Sequence, residues 1–159
     1  MSRRSVPSRM YSAMTKAMGK PAMRPVTRAF SGFHAAVFRL TKGAASNPRW
    51  PMLVLTVTGR KSGKSRDVPL VYVSDCSRYV VAAAYGGSDV DPAWWLNLQA
   101  NPEATALVNN VLVPVRAAVA PADKRAELWP RLVEMYPYFA EYQQRTSREI
   151  PVVVLTPTV

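Results

Sequence analysis

A chain of 159 residues, 48% of them hydrophobic, suffices for one cored domain and is too short for two comfortable ones. One cysteine, Cys76, excludes an internal disulfide, and one imidazole, His34, excludes a Cys/His zinc cluster. The formal charge of +11 is uneven, with 14 Lys/Arg and no acid in residues 1–66 but 7 Lys/Arg against 10 Asp/Glu in residues 67–159, so anionic lipid, nucleic acid or a phosphorylated small molecule are the partners it suits.

Residues 1–30 form a basic arm with prolines at 7, 21 and 25. Met10, Met14 and Met18 recur every four residues on one helical face. Two readings of the arm stand side by side: a weak amphipathic helix on an anionic membrane surface, or a solvated tail, since short isolated helices are marginal in water. No stretch approaches the roughly 20 apolar residues of a membrane span, and the apolar block of a secretory signal is missing. The expectation is a cytoplasmic protein, peripheral on the inner face of the cell membrane through its arm, with the cored domain over 31–159. Ser31 can cap a helix through "SGFHAAVFRLTKG", with Phe33, Val37 and Leu40 on one stripe and Gly43 to end it. His34 reads as a packed or surface residue, having no second His and no Cys to act with.

From residue 52 the pattern turns to strands, at about 52–58, 67–74 and 78–84, the last two joined by "SDCS". Between the first two lies "TGRKSGKSR" at 58–66. A nucleotide P-loop requires G-x-x-x-x-G-K-[ST] leading into a helix. Here the first Gly is replaced by Thr58, the spacing is one residue short, and "RDVPLVYV" continues as a strand. The segment is therefore a hairpin tip, with Arg60, Lys61, Lys64 and Arg66 around Gly59 and Gly63. "EATALV" and "NVLVPVRAAVA" form a further hairpin through "NN", where Asn tolerates positive φ. "IPVVVLTP" supplies a sixth strand. Two helical inserts are expected: "DPAWWLNLQANP", capped by Asp91 with Pro92 in its first turn, and "ADKRAELWPRLVEMYPYFAEYQQRT", broken or kinked at Pro130 and near Pro137. The fold class is mainly β with α insertions, a small closed or split β-barrel of about six mostly antiparallel strands.

No Ser/His/Asp or Cys/His pairing supports nucleophilic catalysis beyond the isolated His34, and no metal site is expected. The stronger constellation joins the basic tip to "YGG" at 85–87, "PAWWLNL" at 92–98 and "YPYFAEYQ" at 136–143. Gly86 and Gly87 would let backbone amides approach a ring or phosphate. Trp94 or Trp95 offers apolar area to a flat cofactor, and Asn97 can fix its orientation or close the loop. Each aromatic alone is equally an ordinary core residue.

In order and spacing, "TGRKSGKSRDVPLVYV", "YVVAAAYGG", "DPAWWLNLQANPEATALV" and "LWPRLVEMYPYFAEYQQRTSREIPVVVL" resemble the deazaflavin (coenzyme F420)-dependent nitroreductase family, over about residues 50–157. The resemblance implies a split β-barrel related to FMN-binding pyridoxamine-phosphate oxidases, with F420 bound non-covalently. It implies that Arg60, Lys61, Ser62, Gly63 and Arg66 hold the cofactor's phosphate and polyglutamate tail, where guanidinium forks and ammonium groups suit anionic oxygens. Pro69, Leu70 and Val71 would lie along the deazaflavin, with Ala82, Ala83, Ala84, Tyr85, Gly86 and Gly87 supplying backbone hydrogen bonds and Trp94 closing one side. Tyr136 and Tyr142 match tyrosines of the family's second-substrate wall and are the catalytic candidates, while Phe139 stands where a third tyrosine is usual. Ala84 and Tyr85 replace the Ser and Lys often found before the paired glycines. The implied activity is hydride transfer from F420H2 to a quinone-like, nitro or other activated planar acceptor. An FMN-binding barrel is the enzyme rival, although FMN has one phosphate for four basic residues. A basic membrane-surface or nucleic-acid-binding module is the non-enzyme rival. No recognition-helix or RNA-binding aromatic pattern appears, so nucleic acid is not an expected partner. Barrels of this type often pair, which makes a homodimer the analogy.

Overall fold

The computed structural model describes residues 50–158. The arm, the helix expected from Ser31 and His34 lie outside the described residues. The strands are β1 (Met52–Thr58), β2 (Ser65–Val71), β3 (Val73–Asp75), β4 (Arg78–Ala82), β5 (Glu103–Val108), β6 (Val111–Val119) and β7 (Val152–Pro157). They form one antiparallel sheet in the order β2-β1-β5-β6-β7-β4-β3. The described helices are α1 (Ala93–Ala100), α2 (Ala122–Met135) and α3 (Tyr138–Gln144), with a single 3-10 turn at Tyr85–Gly87.

The strand expected over 67–74 is two strands. β2 pairs with β1 at one edge of the sheet and β3 pairs with β4 at the other, with Tyr72 alone between them. Tyr72 N–H donates to Pro51 O at 3.2 Å, and its ring meets Tyr79 edge-on at 5.5 Å. One continuous stretch can serve both edges only if the sheet curls until they nearly touch, which makes it a split barrel of seven strands rather than six. Pro69 is tolerated because β2 is an edge strand and needs no N–H on its outer side. Asp75, expected in the joining segment, belongs with Ser74 to β3, and the β3–β4 turn is Cys76–Ser77, with Cys76 at φ 54°. The expected strand 78–84 ends at Ala82. The "NN" turn is as expected: Asn109 and Asn110 have φ of 46° and 68°, the double left-handed conformation that matches a strand pair's twist.

Two helix ends differ from expectation. Asp91 does not cap α1: Pro92 holds the cap position without a side-chain bond, and the Asp91 carboxylate instead accepts from Arg148. Pro130 does not break α2, which runs through it to Met135. The break comes at Tyr136, whose φ of −135° and ψ of 86° leave the helical region because Pro137 follows.

Alternation along the strands feeds two cores. Leu53, Leu55, Val81, Val115, Val153 and Leu155 point into the barrel with Trp95 and Leu98 of α1. Val80 and Val152, on the other face of β4 and β7, pack against Leu128, Leu132, Tyr136, Phe139 and Tyr142 of the α2–α3 layer. β4 and β7 are thus covered on both sides, which explains the run "IPVVVL" in place of strict alternation. Leu155 is 0% exposed, so Leu155→Ala should lower unfolding free energy by about 2–5 kcal/mol in a denaturant titration. Leu112 is 69% exposed, and Leu112→Ala should change stability by no more than about 0.5 kcal/mol.

Candidate functional site

The β1–β2 hairpin closes on itself. Gly59 N–H donates to Lys64 O and Gly63 N–H to Gly59 O, both at 2.8 Å, and Gly63 takes φ +66° with open space where a Cβ would be. Arg60, Lys61, Lys64 and Arg66 around this turn are exposed, and among the described residues none of them is in an ion pair. Ser62 Oγ accepts from Lys64 N–H at 3.3 Å and shapes the turn. The tip is docked onto α1. Asn97 Oδ1 accepts both Arg60 N–H and Arg60 Nη1, each at 3.1 Å, and Asn97 is only 6% exposed. Asn97 therefore closes the loop, one of the two roles its sequence position allows.

Trp94 is buried in the barrel core and meets Trp95 edge-on at 6.4 Å, so its ring belongs to the packing as much as to any cleft wall. Leu70 packs on the barrel core and Val71 on the α2–α3 core, which is the strand's own alternation. Pro69, Leu70 and Val71 consequently offer a ligand the backbone edge of β2 rather than three side chains on one wall.

Ala82, Ala83 and Ala84 are buried, and much of their polar backbone is already committed. Ala83 N–H donates to Pro151 O at 2.9 Å and Gly87 N–H to Ala84 O at 3.0 Å. Tyr85, Gly86 and Gly87 then take φ of 48°, 64° and 80° in succession. A Cβ on Gly87 would lie 2.5 Å from Tyr142 O, so this turn is pressed directly onto α3. Tyr136 and Tyr142 are each 5% exposed, with their hydroxyls 3.4 Å apart. The Phe139 ring packs beside both, 4.8 Å from Tyr136 and 6.1 Å from Tyr142 by ring centroids, with the tyrosine rings themselves 6.3 Å apart. Position 139 is thus an apolar ring packed against both tyrosine rings.

Two residues that the sequence reading passed over organise this region. Arg145 Nη1 donates to Gly86 O at 3.1 Å and its guanidinium lies 5.2 Å from the Tyr142 ring centre. Arg148 donates from Nε to Ser88 O at 2.8 Å, from Nη1 to Asp91 Oδ1 at 3.0 Å, and from Nη2 to Ala83 O and Ala84 O at 3.0 Å each. Burial lowers the Arg148 pKa from its ordinary value, with the nearby Asp91 and Asp89 charges acting the other way. The signal for both was thin, namely two arginines in "QQRTSREIP" immediately before a buried strand. Their partners are backbone carbonyls about 60 residues away, which carry no sequence mark. Among the described residues no group of three or more His, Cys, Asp or Glu could hold a metal.

A curled, antiparallel sheet with few helices is the split-barrel architecture of F420-dependent reductases. The profile of the F420H(2)-dependent quinone reductase family matches residues 17–157, and the chain belongs to that family, whose cofactor is F420. It is 38% identical over 129 residues to the F420H(2)-dependent quinone reductase Rv1261c of Mycobacterium tuberculosis strain ATCC 25618 / H37Rv, covering 77% of this chain and 87% of that one. A solved F420-H2 dependent reductase, FDR-A, is 38% identical with a TM-score of 0.62, covering 66% of this chain and 93% of its own. A second solved relative, described as a domain-swapped dimer, is 33% identical with a TM-score of 0.64, covering 77% and 96%.

The contact at Gly87 makes a direct prediction. Gly87→Ala should cost about 2–4 kcal/mol, from left-handed strain added to overpacking against Tyr142 O, measured as a lowered denaturation midpoint.

Proposed function

We propose that the protein transfers hydride from F420H2 to a quinone-like acceptor, with nitro and other activated planar compounds as further substrates. The observation that carries this reading is the tip: four exposed cations in seven residues, without ion pairs among the described residues, held at a set distance from α1 by the buried Asn97. That donor set fits a phosphate extended by a chain of carboxylates better than the single phosphate of FMN. When bound, the reduced deazaflavin supplies the hydride from its C5 carbon.

This chain's own residues bind, orient and exclude water. Arg60, Lys61, Ser62, Gly63 and Arg66 would grip the anionic tail, with Arg60 pre-ordered by Asn97. The β2 edge at Pro69–Val71 and the turn at Ala82–Gly87 would flank the ring system, with Trp94 behind it. Tyr136 and Tyr142 would donate hydrogen bonds to the acceptor oxygen. An ordinary phenol, with a pKa of about 10, is a weak acid at neutrality, which makes solvent the alternative proton source. The apolar Phe139 ring packed against both tyrosine rings favours a planar, largely apolar acceptor such as a quinone over a strongly polar one.

The basic arm, outside the described residues, would hold the protein against the anionic inner face of the cell membrane, where lipid-soluble quinones reside. Among the described residues no helix is long and apolar enough to cross a membrane. A homodimer is the matching assembly, supported by the solved relative described as a domain-swapped dimer.

Titration of the full chain with oxidised F420, followed by cofactor fluorescence, should show saturable binding in the micromolar range or tighter. Arg60→Ala and Lys61→Ala should each weaken it by about tenfold, the ~1.5 kcal/mol of a charge-assisted hydrogen bond. Unchanged fluorescence would remove the main support, and a yellow preparation releasing FMN on denaturation would favour the rival cofactor. Removing residues 1–30 should leave F420 binding intact and abolish pelleting with anionic vesicles. Pelleting at the wild-type level would refute the membrane role of the arm.

A further inference from the structure

Three separate segments make up the proposed coenzyme cleft: the basic tip, the turn after β4, and helix α1. Sequence distance gives no reason for them to hold one arrangement. Two side chains join them. Asn97 ties the tip to α1. Arg148 ties the turn to the start of α1, since it grips Ala83 O, Ala84 O and Ser88 O on one side and the Asp91 carboxylate on the other.

We infer that Arg148 is a positioning residue of the coenzyme cleft, setting the placement of the left-handed turn Tyr85–Gly87 relative to α1 through four hydrogen bonds to Ala83, Ala84, Ser88 and Asp91. The inference rests on the proposed reading that this turn faces the coenzyme. Its physical basis is independent of that reading. Tyr85, a non-glycine residue at positive φ ahead of two glycines at positive φ, is in a costly conformation that persists only when its surroundings over-determine it. Carbonyls on both sides of the turn accept from one planar fork, which fixes their spacing as no single flexible donor could. The fork itself cannot drift. Its side chain is only 16% exposed, and Gln143 holds its backbone by accepting Ile150 N–H at 3.0 Å and donating to Arg148 O at 2.8 Å. A lysine could neutralise Asp91 but could not reach the three carbonyls in the same geometry.

The test uses the full chain as wild type, Arg148→Lys, Arg148→Met and Asp91→Asn. Without coenzyme, hydrogen exchange in Arg148→Met should be about tenfold faster or more for the peptide covering 83–91, with β1 and β5 amides within about twofold of wild type. With oxidised F420, the dissociation constant should rise about tenfold in Arg148→Met and less in Arg148→Lys, while the acceptor KM measured at saturating coenzyme stays within about twofold. Asp91→Asn should move both readouts in the same direction by a smaller factor, and it decides the matter if Arg148→Met fails to fold. Exchange over 83–91 unchanged in the variants, or raised equally across the whole sheet, overturns the positioning role. Wild type that does not bind F420, with local exchange still faster in Arg148→Met, overturns the coenzyme reading and leaves the clamp standing. Faster local exchange with unaltered F420 affinity shows that the clamp does not serve the cleft and overturns the inference.

Discussion

Closure of the sheet through Tyr72 is the constraint on which the other features rest. A chain that leaves β2 at one edge and enters β3 at the other after a single residue forces a strong curl, and the curl creates an inside. Only then can Leu53, Leu55, Val81, Val115 and Leu155 share one core with α1. An open sheet would leave this apolar face to water, at about 25 cal/mol for each Å² exposed. The same closure brings the basic tip at the end of β1 against the helix that follows β4, which is how Arg60 reaches Asn97 across 37 residues of sequence.

The outer face of β4 and β7 supports a second layer, in which Leu128 and Leu132 of α2 and Phe139 and Tyr142 of α3 pack over Val80 and Val152. The turn at 85–87 is where this layer meets the barrel. Gly87 permits contact with the backbone of α3, and two arginines just beyond the end of that helix hold the carbonyls around the turn. A buried guanidinium is expensive unless its donors are satisfied. Four bonds of about 3 Å from Arg148 answer that demand and make the local geometry hard to deform.

Charge is divided by purpose. In the acidic part of the chain, arginines are spent on structure: Arg131 and Arg78 on Asp75, Arg116 on Glu103, Arg148 on Asp91. The two hydrogen-bonded arginines hold the Asp75 carboxyl below its ordinary pKa against the opposing effect of desolvation. The tip cations make no such pairs among the described residues and lie in solvent, where their field is screened beyond about 8 Å at physiological salt. Their reach is therefore short, suited to a flexible anionic chain laid directly on the turn.

Local chemistry in the sequence determined a good deal. The strand alternation, the Asn109–Asn110 turn, the rejection of a P-loop at 58–66, and the ordered motifs of the reductase family were all legible because each depends on neighbours along the chain. The tertiary structure decided the rest. It split 67–74 into two strands, since closure and not propensity chooses a strand's partner. It moved Asp91 from helix cap to ion pair, because Arg148 from a distant loop competes for the carboxylate with a charge that a helix N-terminus cannot match. It carried α2 through Pro130, as packing of Leu128 and Leu132 holds the helix on both sides of the missing donor. It also singled out Arg148 among the lysines and arginines of the described residues, since the carbonyls that select it belong to every residue alike and acquire meaning only when folding sets them within 3 Å of one fork.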